Sequence, residues 1–307
     1  MCAVPSLSMI DDIAGIANCK ENSIILNAII NAKIEGKKLQ FNVKKCVNMH
    51  VGPGKENCEN LKIHEKQMLA TDTQKYLGDL VSNSGNNYDN IKDRCKTGFK
   101  AISQIKSLIK EVTLGKFTIQ VGLILRDSIF VSKVLLNSEL WHSLTKVQIE
   151  ELEVIDRILL RQNLNAHSKT GLEWIYADTG KFNLRSLIKI RRLMYLWHIL
   201  SRDESELINR IYRTQNISSN VGDWLNILSA DKLELGITVT DKEIQGVSKN
   251  VFKNVVKKKL QINHLKYLNN LKKKHTKVKF LNCSELKLAD YIQHTFSLQN
   301  RSNFYSS

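Results

Sequence analysis

Proline is nearly absent: the 307 residues contain two, Pro5 and Pro53. Nothing in the covalent chain therefore blocks long helices over most of its length. Acidic residues are also in short supply. Lys and Arg together number 46 against 30 for Asp and Glu, a formal charge of +16, and an excess of that size predicts a polyanionic partner, nucleic acid first and an anionic membrane surface second. The six cysteines stand at 2, 19, 46, 58, 95 and 283, with no Cys-x-x-Cys pair among them. That spacing points to scattered reduced thiols rather than a zinc or redox motif. No uncharged stretch approaches the roughly 20 residues needed to span a bilayer. The apolar start has no basic flank and is broken by Asp11, so no secretory signal is expected and the chain reads as non-secreted, in nucleus or cytoplasm.

What is present divides into two regimes. Residues 1–85 alternate like short strands around one helix. In "PSLSMIDDIAGIANC", Asp11 and Asp12 form a two-residue connection between apolar runs. The favoured hairpin pairs contain Gly or Asn, so Asp-Asp breaks a local rule, as functional sites tend to. "NSIILNAIINAKIEG" carries apolar residues at 24, 25, 28 and 29, with Asn22 as N-cap and Gly36 as stop. Leu39, Phe41, Val43 and then Val47, Met49, Val51 alternate as in strands, and "KYLGDLVSNSG" reads as one further strand. From Asn86 the pattern is helical. Ile91, Cys95, Phe99, Ile102, Ile105 and Ile109 form one stripe, a second helix covers 114–136, and Thr145 with Gln148 has capping-box spacing. The helix in "FNLRSLIKIRRLMYLWHIL" bears Arg185, Lys189, Arg191 and Arg192 near one side, and "TQNISSNVGD" at 214–223 reads as a linker. Between Val247 and Phe280 stand eleven lysines and no acidic residue. Lys257, Lys258, Lys259, Lys272, Lys273 and Lys274 are among them, on a segment whose apolar residues keep helical spacing. Such a cationic helix suits phosphate contacts with strongly salt-dependent binding. The expected class is α+β, mostly α: a small hairpin, helix and strand unit at 1–85, a helical bundle at 86–214 and a Lys-rich helical tail at 215–307. Trp141 and Trp174 are expected as core anchors.

The order of the motifs adds to this. "MIDD" (Met9–Asp12), then a helix, then Asn42, Lys45, Cys46 and Met49 in "NVKKCVNM", then Tyr76, Leu77 and Gly78, resembles the reverse transcriptases of non-LTR (LINE-type) retrotransposons. "SELWHSLTKVQIEELEVIDRILLRQNL" and "IYADTGKFNLRSLIKIRRLMYL" are similar to that family's thumb region, so the likeness spans most of the chain. It implies that 1–85 is the end of a palm, 86–214 a thumb and 215–307 a basic tail. It further implies that Asp11 and Asp12 are metal ligands in two-metal nucleotidyl transfer with Mg²⁺, and that Lys45 lies near the incoming triphosphate as a general acid. Tyr76 to Gly78 would be a primer grip, and the partners an RNA template and a DNA primer or target. Met9 stands where the family usually has Tyr or Phe. Only ten residues precede Asp11, so the family's third carboxylate and its fingers are expected to be missing, Mg²⁺ to bind weakly, and the chain alone to lack polymerase activity without an upstream fragment. Two other readings stay open: a non-catalytic basic helical module that binds nucleic acid, and a non-functional relic of such an element.

Overall fold

The computed structural model describes residues 6–9, 12–52, 61–63, 66–112, 119–142, 144–168, 170–217, 223–274 and 289. The fold is α+β and mostly α. It divides into two compact units, Met1–Asn90 and Ile91–Ser307.

The first unit is built from short two-stranded pairs, three antiparallel and one parallel among the described residues, and one long helix. Strands β1 (Ser6–Met9) and β2 (Asp12–Gly15) form a hairpin with Met9 opposite Asp12. Helix α1 (Lys20–Gly36) follows and ends at Gly36. It begins at Cys19 rather than Asn22, whose amide instead donates to Asn18 one turn back. The hairpin and α1 meet at Gly15, where a Cβ would stand 2.7 Å from the Leu26 side chain. Leu26 is accordingly the one buried residue of α1, while Ile24, Ile25 and Ile29 are about half exposed. The inward side of this helix is thus one position off the expected 24/25/28/29 stripe. Two-residue strands β3 (Val47–Asn48), β4 (Lys62–Ile63), β5 (Lys66–Gln67) and β6 (Leu69–Ala70) come next. β3 pairs in parallel with β6 and β4 antiparallel with β5. The alternation at 39–51 therefore yields only β3, because Val43–Lys45 closes into a 3₁₀ turn. The single strand expected over "KYLGDLVSNSG" is two: β7 (Thr73–Tyr76) and β8 (Asp79–Ser82) form a hairpin, with Tyr76 opposite Asp79.

The second unit is helical, and its core follows the 3.6-residue periodicity. In α2 (Tyr88–Val112), Ile91, Ile102 and Ile105 are buried, but Phe99 is 53% exposed and leaves the stripe. Gly98 lies on the inward side instead, where a Cβ would meet Ile155, Val134 and Phe130 at 3.2–3.3 Å. Helix α3 (Ile119–Leu125) runs through a π-helical stretch at Arg126–Val131 into the short α4 (Ser132–Val134). Helix α5 (Lys146–Leu164) starts on the expected capping box: the Thr145 hydroxyl accepts the Gln148 N–H at 3.2 Å and the Gln148 side chain accepts the Thr145 N–H at 2.9 Å. It buries Leu152, Ile155 and Leu159 against α2, Phe130, Val134 and Trp141. Trp141, at 2% exposure, is the core anchor expected, whereas Trp174 is half-buried.

The short α6 (Leu172–Thr179) closes a smaller cluster of Ile119, Leu123, Leu160, Leu164, Ile175 and Tyr176. Helix α7 (Leu184–Leu200) is capped by Asn183, whose side chain accepts the Ser186 N–H at 2.9 Å. Its second half shares a core with α8 (Leu207–Ile217), α9 (Trp224–Glu234), α10 (Asp241–Gln245) and α11 (Lys249–Lys274). The described part of the Lys-rich segment is helical as expected, as far as Lys274. It is not set apart from the bundle, because Phe252, Val256 and Leu260 pack into the same core as Leu193, Leu196 and Ile199. Among the described residues no helix is long and apolar enough to cross a membrane.

Candidate functional site

Three segments carry the sequence motifs, and all belong to the first unit. At the first, the register moves the connection by one residue: Asp12 is the opening residue of β2, hydrogen-bonded opposite Met9, rather than part of the turn. Strand pairing wins here because it brings Ile13 and Ala14 into register with Ser8 and Leu7. Asp11 lies outside the described residues, as does the side chain of Asp12. Hard carboxylate oxygens are the donor type Mg²⁺ takes, and two of them make a partial set. Among the described residues there is no group of three or more His, Cys, Asp or Glu that would hold a metal ion.

The second segment is a 3₁₀ turn, and the motif residues make it. The Asn42 carbonyl accepts the Lys45 N–H at 2.9 Å and the Cys46 thiol at 3.4 Å, while the Cys46 N–H donates to Val43. Burial pushes the Cys46 thiol up from its ordinary value, which keeps it protonated as a donor. Lys45 is exposed at the end of this turn. Asn-x-x-Lys-Cys is therefore a local structural unit that presents Lys44 and Lys45 to solvent.

At the third, Leu77 and Gly78 are the two central residues of the β7–β8 hairpin, with φ of +47° and +90°. Both angles positive is the turn geometry matched to strand twist, normally met by Asn-Gly. Leucine in that conformation is strained by roughly 1–2 kcal/mol. Its side chain is 41% exposed, so the strain places an apolar group in solvent at a hairpin tip. The turn end of the hairpin is fixed by Asn90, whose amide donates to Asp79 at 3.2 Å and accepts the Leu80 N–H at 3.3 Å. Tyr76 is half-buried.

The basic side expected on α7 is corrected by its partners. Arg192 is 3% exposed, ion-paired to Asp231 of α9, and donates to the Trp141 carbonyl at 3.0 Å. Lys189 pairs with Glu234 at 2.5 Å. Arg191 donates to the Leu135 carbonyl, which ends α4. Arg185 is half-buried beside the Glu153 carboxylate, which also accepts the Arg185 backbone N–H at 3.3 Å. Burial raises the Glu153 pKa, and those Arg185 interactions oppose it. The spacing carried the signal: Arg185, Arg192 and Ile199 recur seven apart, and Ile188 and Leu196 lie a turn from Arg192. Cations on an apolar face are buried and paired.

Sequence reasoning also missed the most extensive buried ion-pair network among the described residues. Arg126, 1% exposed at the head of the π-helical stretch, grips Asp156 of α5 with two bonds of 2.7 and 2.6 Å. It further donates to the Phe182 carbonyl and to Asp127, which in turn pairs with Lys181. The Tyr176 hydroxyl donates to Asp156 at 3.0 Å; burial, then the Asp156 charge, pushes it well above its ordinary value. This network ties the π-helical stretch, α5, α6 and the α6–α7 connection together. A single sequence holds no pattern linking Arg126 to Asp156.

On α11 the lysines have a different situation. Lys258, Lys266 and Lys273 are exposed, Lys257 is half-buried, and Lys259 is exposed with a bond to the Gly236 carbonyl at 3.3 Å. The side chains of Lys272 and Lys274 lie outside the described ones. Among the described residues no ion pair joins an α11 lysine to a carboxylate. Toward the other side of the helix, His264 is half-buried, which lowers its pKa, and Tyr267 lies near the Glu173 carboxylate of α6. No protein-family model, curated protein or solved structure matches this chain.

Proposed function

We infer that the chain is a palm-and-thumb piece of a non-LTR reverse transcriptase, an RNA-directed DNA polymerase, whose basic helix α11 holds nucleic acid. The observation that carries this reading is local: each of the three motif segments forms a defined turn in one unit. Asp12 opens a hairpin strand, Lys45 ends a turn closed by Asn42, and Leu77–Gly78 forms a strained, exposed hairpin tip. In the reaction, Mg²⁺ held by Asp11 and Asp12 would supply charge stabilisation for nucleotidyl transfer. Lys45 would face the triphosphate as proton donor, and Tyr76, Leu77 and Gly78 would support the primer end. Two adjacent carboxylates are a weak Mg²⁺ site without a further ligand.

A second reading keeps only the binding function: a basic helical module without catalysis. The exposed lysines Lys258, Lys266 and Lys273 of α11 favour it, since among the described residues the cations of α7 meet internal partners and these three join no carboxylate. Primer extension on an RNA template with Mg²⁺ separates the two. The chain is assayed alone and with an upstream fingers–palm fragment of a related element, each with and without Asp11→Asn. Extension that requires Asp11 supports the polymerase reading. Salt-sensitive nucleic-acid binding with no extension in any arm, unaffected by Asp11→Asn, leaves the binding module.

A further inference from the structure

Helix α11 turns one ridge to solvent, and that ridge has a composition that selects among nucleic acids. At 100° per residue, Val251, Val255, Lys258, Ile262, Lys266 and Lys273 fall within about 80° of arc. The structure leaves all of them exposed, with the three aliphatics at 52, 45 and 39%. The buried residues Phe252, Val256, Leu260 and Leu268 lie on the other side. The three ridge lysines follow one another at about 12 and about 11 Å along the axis. No aromatic side chain is on the ridge. Tyr267, the exposed aromatic of this helix, stands at least about 100° away, near Glu173.

Single strands and duplexes ask for different surfaces. Proteins that hold single strands without sequence preference supply aromatic faces on which unstacked bases lie. A duplex keeps its bases stacked on each other and presents phosphates and groove edges rather than open base faces, with a denser counterion atmosphere to release. Exposed lysines, interspersed with Val251, Val255, Ile262 and Asn269 and joined to no carboxylate by an ion pair among the described residues, give phosphates their partners and give bases nothing to stack on.

We propose that the α11 ridge is a duplex-backbone site, which binds double-stranded nucleic acid through Lys258, Lys266 and Lys273 and discriminates against single strands. This rests on the nucleic-acid reading above and adds the strandedness of the ligand and the residues that set it. Among base-paired forms, a DNA duplex and an RNA–DNA hybrid share the recognised chemistry.

The test is fluorescence anisotropy of the full chain. The ligands are a 20-base-pair DNA duplex, the RNA–DNA hybrid of the same sequence, and each component single strand, over a series of salt concentrations. Tighter binding of one or both duplex forms than of either single strand at equal salt is the expected result. Lys258→Gln, Lys266→Gln and Lys273→Gln together should weaken duplex binding at least about tenfold and reduce the magnitude of the log–log salt slope by roughly 3, near 0.9 per lost phosphate contact. All three side chains are exposed, so circular dichroism should be unchanged. Ile262→Trp adds a stacking platform to the ridge and should raise single-strand affinity about fivefold or more. Equal or tighter binding of single strands overturns the duplex assignment and leaves the nucleic-acid reading standing. Duplex binding unaffected by the triple substitution overturns the ridge as the site. Binding to none of the four ligands overturns both.

Discussion

At the scale of the residue, the positions that matter most are those where side-chain chemistry and surroundings disagree. Leu77 holds a left-handed conformation that glycine or asparagine takes at lower cost. Leu77→Asn is expected to raise stability by about 1 kcal/mol, read as a higher urea midpoint at unchanged m. If the tip supports a primer end, the same substitution should lower extension efficiency in the complemented assay, the signature of strain retained for function. Asp156 is the opposite case, a buried charge whose environment is fully committed to it by Arg126 and Tyr176. Asp156→Ala removes the buried, two-bond partner of the Arg126 guanidinium, leaving it only the half-exposed Asp127 as a carboxylate partner, and should cost about 3 kcal/mol in chemical denaturation. Replacing the pair together with apolar residues of similar volume, Arg126→Met with Asp156→Leu, should cost clearly less, because no charge is then left unpaired. Neither partner was visible as such in the sequence, where each is one charged residue in an ordinary helical stretch.

At the scale of the element, local chemistry was legible where a short-range rule decides the outcome. Thr145 and Gln148 stand three apart and form the reciprocal cap that their spacing predicts. Thr145→Ala should destabilise the helical unit by about 1 kcal/mol through loss of that cap, measured as a fall in the thermal midpoint, with Thr145→Ser restoring most of it. Asn183 at the head of α7 follows the same logic. Short strands were read less well. Val43–Lys45 has an alternating pattern but turns, because the Asn42 carbonyl offers the backbone and the Cys46 thiol a local acceptor. The Tyr-Leu-Gly stretch became a hairpin because paired strands on both sides outweigh the strain at Leu77. On α1 the apolar residues span more than one side, so periodicity alone did not select Leu26; close approach at Gly15 did.

At the scale of the whole molecule, the two units differ in how much they bury. Among the described residues, Leu26 and Ile63 are the buried apolar side chains of the first unit, whereas three clusters fill the second. Buried apolar contact is what resists local opening. Amide hydrogen exchange should therefore be fast across β1–β8 and α1 and slow across α5 and α7. Brief trypsin digestion should cut first within residues 1–90, despite the abundance of lysines on α11. Uniform protection across both units would contradict this reading of the burial.

What the sequence determined by itself was whatever depends on near neighbours or on totals: helix-rich character from the lack of proline, the Thr145 cap, the α11 helix, and the excess of basic residues. What only the tertiary structure decided was which of those charges stay exposed. Arg185, Lys189, Arg192 and the α11 lysines look alike along the chain. Packing turns the first group toward Glu153, Asp231 and Glu234 on α5 and α9, and leaves Lys258, Lys266 and Lys273 facing water. The reason is that a buried cation must find its counter-charge from a distant segment, and such pairings are set by how the helices pack rather than by any local order of residues.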